Sequence, residues 1–499
     1  MRPFEGSPHD LSPFPLGRIQ TAILCSFACP SGETCLSMTT QFPIPAQLPD
    51  MTASASHRWI ICHIDLSQGL PELPQPTQAQ GLYLVLWWHH IPLGHLELLA
   101  GQLPLTAAQW LPLALPMITA TVGSGLRQQG FEAPLPEVKR VTPLPFCTDL
   151  LAMNLPLHRL LSQTQAVAAA AQATVSVVIC TRDRPQSLAR CLRSLQGLIT
   201  PAHEIIVIDN APTSEASQQL VEQFPGVLYC REPRPGLSVA RNRGIAIATG
   251  EIIAFTDDDV EVHPHWLEQL RTAFHNPRVM AMTGLILPAR LETEAEEVFQ
   301  RGSSGFGWGY RPLIFDSFFF EKLKPYGVPV WRIGAGANMA FRREVFNQLG
   351  GFDERLGAGA SGCSEDSEYW YRVLAAGWTC RYQPTAVVSH YHRADFTSLS
   401  QQMTAYMRGH VAALLVQMGR HRHWGNLYRL FICLPKHYAK QITFGFLHGF
   451  RGKYLTVFTE MGGCLSGIVY YLRHRSDPIS TPKVPQIQAQ TSQVSASSH

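Results

Sequence analysis

Four short runs rich in β-branched residues, Val175–Cys180, Glu204–Asp209, Val227–Cys230 and Glu251–Thr256, follow one another with helix-period segments between several of them. Strands alternating with helices at this spacing imply βαβ units and a largely parallel sheet. In such a sheet ligands collect at the carboxyl ends of the strands. The chemistry is therefore expected in whatever follows each run.

After the first run comes Thr181-Arg182-Asp183-Arg184, then a helix with Leu188, Cys191, Leu192 and Leu195 on one face. Asp209-Asn210 closes the second run, and Asp257-Asp258-Asp259 follows the fourth. Any one of these taken alone reads more simply as solvated loop acid, but three strand ends bearing carboxylates in one sheet point to a site. In Asp257-x-Asp259 two carboxylates two positions apart on extended chain point the same way and suit a hard divalent cation, Mg²⁺ or Mn²⁺, with positions left for phosphate oxygens. An EF-hand fails, because Val262 stands where its loop needs glycine and a strand and His263-Pro264 flank the triplet.

Pro235 to Gly244 reads as a helix start, with Ser238 a candidate cap and Arg241 on the turn facing the crevice, where a guanidinium complements a diphosphate. Gly334 to Phe341 reads as small-residue backbone approaching a ligand, then strand. Ser364-Glu365-Asp366 opens a helix through Tyr369, Trp370, Val373 and Leu374; acids in a first turn are commonplace, since they complement the helix dipole. His390-Tyr391-His392-Arg393 closes the unit and carries no signal without context.

The ordered set VSVVICTRDRPQSLARCLRSL, EIIVIDNAP, GLSVARNRGIAIATGEIIAFTDDDV, GAGANMAFRREVFNQLGGFDE, SEDSEYWYRVLAAG and SHYHR, spanning 174–400, resembles inverting glycosyltransferase family 2. The resemblance implies a GT-A fold and a nucleoside-diphosphate-sugar donor. It places the nucleoside at Thr181, Asp183 and Asp209, the diphosphate along Asp257-Asp258-Asp259, and a divalent metal at Asp257, Asp259 and His390, with His392 the competitor for the last; Arg241, read from its place on the helix, joins the donor set. It makes Asp366 the catalytic base, with Glu365 beside it positioning acceptor or donor. Asp183 stands where many relatives have Tyr or Asn, which leaves the nucleobase open. One base acting opposite the leaving group gives a single displacement with inversion onto a hydroxyl acceptor, a glycan or lipid-linked glycan.

A Rossmann dehydrogenase is excluded by the glycine-free turn after the first run, and a sugar nucleotidyltransferase by the missing Gly-rich, Lys-bearing N-terminal loop. A processive polysaccharide synthase lacks its Gln-x-x-Arg-Trp motif here. The non-enzymatic alternative is a catalytically inactive nucleotide-sugar-binding or scaffold protein of the same fold.

The 499 residues divide into a disordered start (1–56), a small β-containing module without a nameable motif (57–150), a linker (151–173) whose low-complexity stretch from 161 to 174 suits linker or a short helix, the catalytic domain (174–400), a basic amphipathic helical extension (401–475) and a disordered tail (476–499). Met38 or Met51 are alternative starts. The formal charge of +3 is too balanced for a nucleic-acid binder. It conceals ten Lys and Arg against a single acid, Glu460, in 401–475, which suits either a cap on the catalytic unit or docking on an anionic membrane. Twelve cysteines without a CxxC pair, with Cys25, Cys29 and Cys35 the nearest to a cluster, read as reduced thiols in a cytoplasmic protein, peripheral on the membrane if the extension docks. No secretory signal is convincing. The uncharged run 98–126 is interrupted by Pro104, Pro112 and Pro116, and 454–472 by Glu460 and three glycines, so neither reads as a membrane span.

Overall fold

A computed structural model of the chain describes residues 58–128, 146–302, 309–447, 449–450 and 454–478, all within one unit, 44–499. The segments 1–56 and 479–499, the alternative starts and Cys25, Cys29 and Cys35 lie outside the described residues.

The main sheet carries β4 (Val175–Thr181), β5 (Glu204–Asn210), β6 (Val227–Glu232), β7 (Ile252–Asp257), β8 (Val260–Val262), β9 (Val279–Pro288), β10 (Leu313–Phe315), β11 (Asn338–Arg342) and β12 (Thr379–His390). Their order is β10-β12-β9-β11-β7-β4-β5-β6, with β8 on β12. The half β7-β4-β5-β6 is parallel throughout, as the spacing of its runs predicts. Beyond it β11 runs antiparallel to both β7 and β9, so the whole is a mixed α/β sheet flanked by helices. One face buries Val177, Ile179 and Val207 against Leu188, Cys191, Leu192 and Leu195 of the helix Pro185–Gln196. The other buries Val178, Ile206, Ile208 and Phe255 against Tyr369, Trp370 and Val373 of the helix Glu365–Ala375.

The N-terminal module is a three-stranded sheet, β1 (Trp59–Asp65), β2 (Gly81–Trp88) and β3 (Ile91–Leu99), ordered β1-β2-β3. Strand β2 is apolar along its whole length because both its faces are covered. Leu82, Leu84 and Leu86 face the helix Ala107–Gln128, whereas Tyr83, Val85 and Trp87 pack on Leu285, Leu287 and Val387 of the main sheet.

Two expectations change. The linker over 151–173 is the body of a helix, Phe146–Ala170, whose Met153, Leu157 and Leu160 complete the module's own core; low sequence complexity concealed its apolar face. Pro112 and Pro116, read as breaks, lie inside the helix Ala107–Gln128. They are four residues apart on its exposed face, where the carbonyls they leave unbonded meet water. Among the described residues no helix is long and apolar enough to cross a membrane.

The extension begins with the helix Phe396–His421. It is tied to the loop before Glu365 by Arg408 Nε, which donates to Ser361 O at 2.6 Å, and by Cys363 Sγ, 3.3 Å from Tyr406 O. The helices Leu434–Leu447 and Val457–His474 follow.

Candidate active site

Strand register assembles the site. Thr181 pairs with Asp209 across β4 and β5, and Cys180 with Asp257 across β4 and β7, so the predicted residues converge at one end of the parallel half. Side-chain bonding then separates them. Asp209 is fully buried; its Oδ2 accepts from the Tyr229 hydroxyl at 2.9 Å and its Oδ1 has no hydrogen-bond partner. Burial pushes its pKa up, against the pull of Tyr229. Thr181, by contrast, donates its buried hydroxyl to Asp258 Oδ2 at 2.7 Å. Asp183 sits at φ 54° and accepts from the Thr213 N–H and hydroxyl at 2.8 and 2.9 Å, bonds that hold its carboxyl below the usual range. Of the three, Asp209 keeps a buried acceptor without a hydrogen-bond partner.

The triplet is divided in the same way. Asp258 points inward, between Thr181 and Arg184 Nη2 at 3.0 Å, and burial pushes it up to about 7 despite Arg184. It does not face the crevice as a donor contact. Asp257 stays a third exposed, 3.4 Å from Arg241 Nη2. Asp259 is buried: Oδ2 accepts from Arg184 Nη1 at 2.8 Å, and Oδ1 lies 3.4 Å from His390 Nε2 without forming a hydrogen bond. Burial raises its pKa, but His390 when protonated, with Arg184 and Arg393, brings it below the ordinary value.

His390 faces Asp259, and His392 stands behind it. The two Nδ1 atoms are 3.0 Å apart, and His392 Nε2 lies 2.9 Å from Gln300 Oε1. In that orientation of Gln300, His392 donates from Nε2 and accepts at Nδ1, so His390 donates from Nδ1. His390 Nε2 then turns a lone pair toward an unbonded carboxylate oxygen, an arrangement that a cation between them satisfies. Asp259 and His390 thus fit a divalent ion held by few protein ligands. Asp257 is turned to Arg241 instead, and among the described residues no three His, Cys, Asp or Glu side chains form a metal cage.

On the opposite wall Ser364, in the left-handed region at φ 71°, precedes the helix Glu365–Ala375. Such strain concentrates at functional sites. Glu365 is buried, with Oε1 accepting from Arg241 Nη1 at 2.5 Å; burial pushes it up to about 7 despite the guanidinium. Asp366 is half-buried. Its Oδ2 accepts from the Gly336 N–H at 2.8 Å and its Oδ1 from the Ser367 N–H at 2.6 Å, and burial raises its pKa against Arg241 and these bonds.

Arg241 departs from expectation. Instead of lying open to a diphosphate it is buried, joining Glu365 to Asp257 from below. Gly336 is required there: a Cβ would lie 2.6 Å from Arg241 Nη2, while the glycine's N–H holds Asp366. The helix carrying Arg241, Leu237–Ile247, is preceded by Gly236 at φ 133°, and Ser238 is no cap; its hydroxyl donates to Leu356 O at 2.7 Å.

Sequence reasoning missed Arg184, Tyr229 and the individual part of Gly336. Gly336 lay in a segment already marked by its small residues. Nothing distinguished Arg184 from Arg182, and Tyr229 gave no signal inside a strand run.

The family description "Glycosyl transferase family 2" matches residues 176–350, and "Glycosyltransferase like family 2" matches 326–409. Among similar proteins, the glucosyl-dolichyl phosphate glucuronosyltransferase of Haloferax volcanii is 28% identical over 37% of this chain and 57% of its own. The succinoglycan biosynthesis protein ExoM of Rhizobium meliloti is 30% identical over 43% and 65%. The pre-mycofactocin glycosyltransferase of Mycobacterium tuberculosis is 28% identical over 49% and 48%, so the chain spans about half the length of the curated relatives it matches. Among solved structures, the mannosyltransferase PcManGT from Pyrobaculum calidifontis, in complex with GDP-Man and Mn²⁺, aligns over 72% of this chain and 98% of its own at 17% identity and TM-score 0.43.

Proposed function

Because residues 176–350 belong to glycosyltransferase family 2, we propose that the chain is an inverting glycosyltransferase. It moves a sugar from a nucleoside-diphosphate-sugar donor to a hydroxyl of a glycan or lipid-linked glycan. The observation that carries this reading is the Arg241 bridge. One buried guanidinium binds Asp257, at the strand end suited to a diphosphate, and Glu365, next to Asp366, so the donor and acceptor walls form one crevice.

In this reading Asp209 Oδ1, buried and unbonded, accepts a hydrogen bond from the nucleoside. Asp366, fixed by two backbone N–H groups and with its pKa raised by burial, takes the proton of the acceptor hydroxyl. The acceptor oxygen bonds the anomeric carbon as the bond to the diphosphate breaks on the opposite face, so an α-linked donor yields a β-linked product. A divalent cation held by Asp259 and His390 would stabilise the charge that develops on the leaving diphosphate. Arg241 keeps Glu365 and Asp257 in place and adds positive field beneath them. The relative named for succinoglycan biosynthesis supports a glycan acceptor.

The test is a panel of nucleoside-diphosphate sugars, assayed for nucleoside-diphosphate release with Mn²⁺ and with chelator. Metal-dependent release from one donor, lost in Asp366→Asn, is expected. Binding of a donor without release under any condition would favour the inactive binding protein instead.

A further inference from the structure

The end of the chain leaves apolar surface where a folded protein normally hides it. Among the described residues, twelve of the twenty large hydrophobic residues that stand exposed lie between Trp424 and Leu472. The helix Val457–His474 is apolar on two sides. Gly463 and Gly467 press one side onto the helix Phe396–His421, so closely that a Cβ on either would lie 2.6 and 2.5 Å from Thr404 O and Arg408 O. The other side carries Phe458, Leu465 and Leu472 at seven-residue spacing, 60, 69 and 57% exposed. At its start Phe458 meets Phe450, ring centres 5.3 Å apart, and Phe450 meets Phe446 at 5.1 Å, an aromatic tip next to Leu447 in the chain. Phe446 and Leu447 are both 73% exposed.

Among the described residues of 431–475 every exposed charge is basic; Asp477, just beyond, lies 2.8 Å from His474 Nδ1. Lys436, Lys440, Arg473 and Arg475 are exposed on the same two helices and their ends. Glu460, the lone acid of 401–475, is withdrawn from them: its carboxylate accepts from Thr456 Oγ1 at 2.6 Å and Tyr438 Oη at 3.2 Å. An apolar stripe with an aromatic tip, basic flanks and its acid turned inward complements an anionic bilayer surface. It does not complement a second copy of itself, which would bring like charges together. One side of the helix is occupied by the helix Phe396–His421, so the segment lies on the surface rather than crossing it.

We propose that the helices Leu434–Leu447 and Val457–His474 form a monotopic docking face, with the Phe446, Phe450 and Phe458 tip and the Leu465 and Leu472 stripe inserted at the headgroup boundary of an anionic bilayer. The inference stands apart from the donor reading, because none of these residues belongs to the crevice.

The test uses the full chain and co-sedimentation with vesicles of phosphatidylcholine, with or without phosphatidylglycerol. Strong partition onto the phosphatidylglycerol vesicles is expected at low salt, with weaker partition in high salt. Phe446→Ser with Phe458→Ser should lower it about a hundredfold, since burial of each ring contributes about tenfold or more. Lys436→Glu with Lys440→Glu should lower it about thirtyfold or more on anionic vesicles only. Both variants change exposed side chains, and circular dichroism checks their fold. Absence of sedimentation at low salt would overturn the proposal, as would equal partition onto phosphatidylcholine alone. So would a dimer, in light scattering, that the aromatic variant dissolves while vesicles leave the protein in solution. Nucleoside-diphosphate release from free donor by the aromatic variant should match the parent, so failure of docking and failure of the transferase reading are told apart.

Discussion

The site contains two neighbouring acid pairs, Asp258-Asp259 at the strand end and Glu365-Asp366 at the helix start, and the structure treats them alike. In each, the first acid turns inward onto an arginine, Arg184 for Asp258 and Arg241 for Glu365, and burial pushes it up to about 7. In each, the second acid keeps a carboxylate oxygen toward the crevice side: Asp259 Oδ1 toward His390, and Asp366 on the Gly336 N–H. The pairs differ in their arginines. Arg184 is 40% exposed and solvent can replace it, whereas Arg241 is 2% exposed and nothing can. Two adjacent acids are therefore not two copies of one function, and burial decides which one is the support.

The largest effect is expected at the outward acid of the helix pair. Asp366→Asn should reduce turnover about a thousandfold while nucleotide binding by calorimetry is unchanged; near-normal turnover would remove it as base. Its raised pKa gives a sign to the pH profile. Rate should fall as pH drops through a value above the usual Asp range of about 4, because the proton then occupies the base.

Next comes the buried arginine. Arg241→Met leaves Glu365 buried without its partner, which should cost about 3 kcal/mol or more in denaturant unfolding and lower activity along with it. A variant as stable as the parent would mean that the bridge holds nothing together.

Asp259→Asn should weaken Mn²⁺-dependent nucleoside-diphosphate binding about ten- to a hundredfold, and leave metal-free binding unaffected. The smallest effect belongs to Asp258→Asn. Its amide still accepts from Thr181 and loses a pair only to half-exposed Arg184, so stability should change by about 1 kcal/mol or less. If Asp258→Asn proved as damaging as Asp259→Asn, the division between support and working acid at the strand end would fail.

Much of this was legible in the chain. The runs at 175, 204, 227 and 252 became the parallel strands, because β-branched stretches between amphipathic helices have few other ways to bury themselves. Register then had to bring Thr181, Asp209 and Asp257 to one edge. The linker at 151–173 was misread because three residues, Met153, Leu157 and Leu160, carry its contribution to a core.

What the sequence determined by itself was periodicity, strand ends, the identity of the acids and the basic bias of 401–475, all of which are local or additive along the chain. Tertiary structure alone decided that Arg241 lies beneath the crevice rather than in it, that Asp258 and Glu365 face inward, that His390 rather than His392 meets Asp259, and that Glu460 is withdrawn from an otherwise basic surface. Apart from the bond of Thr456 to Glu460, these are partnerships between residues at least 16 positions apart in sequence. The free energy of a buried charge depends on which distant group reaches it, and no spacing rule contains that information.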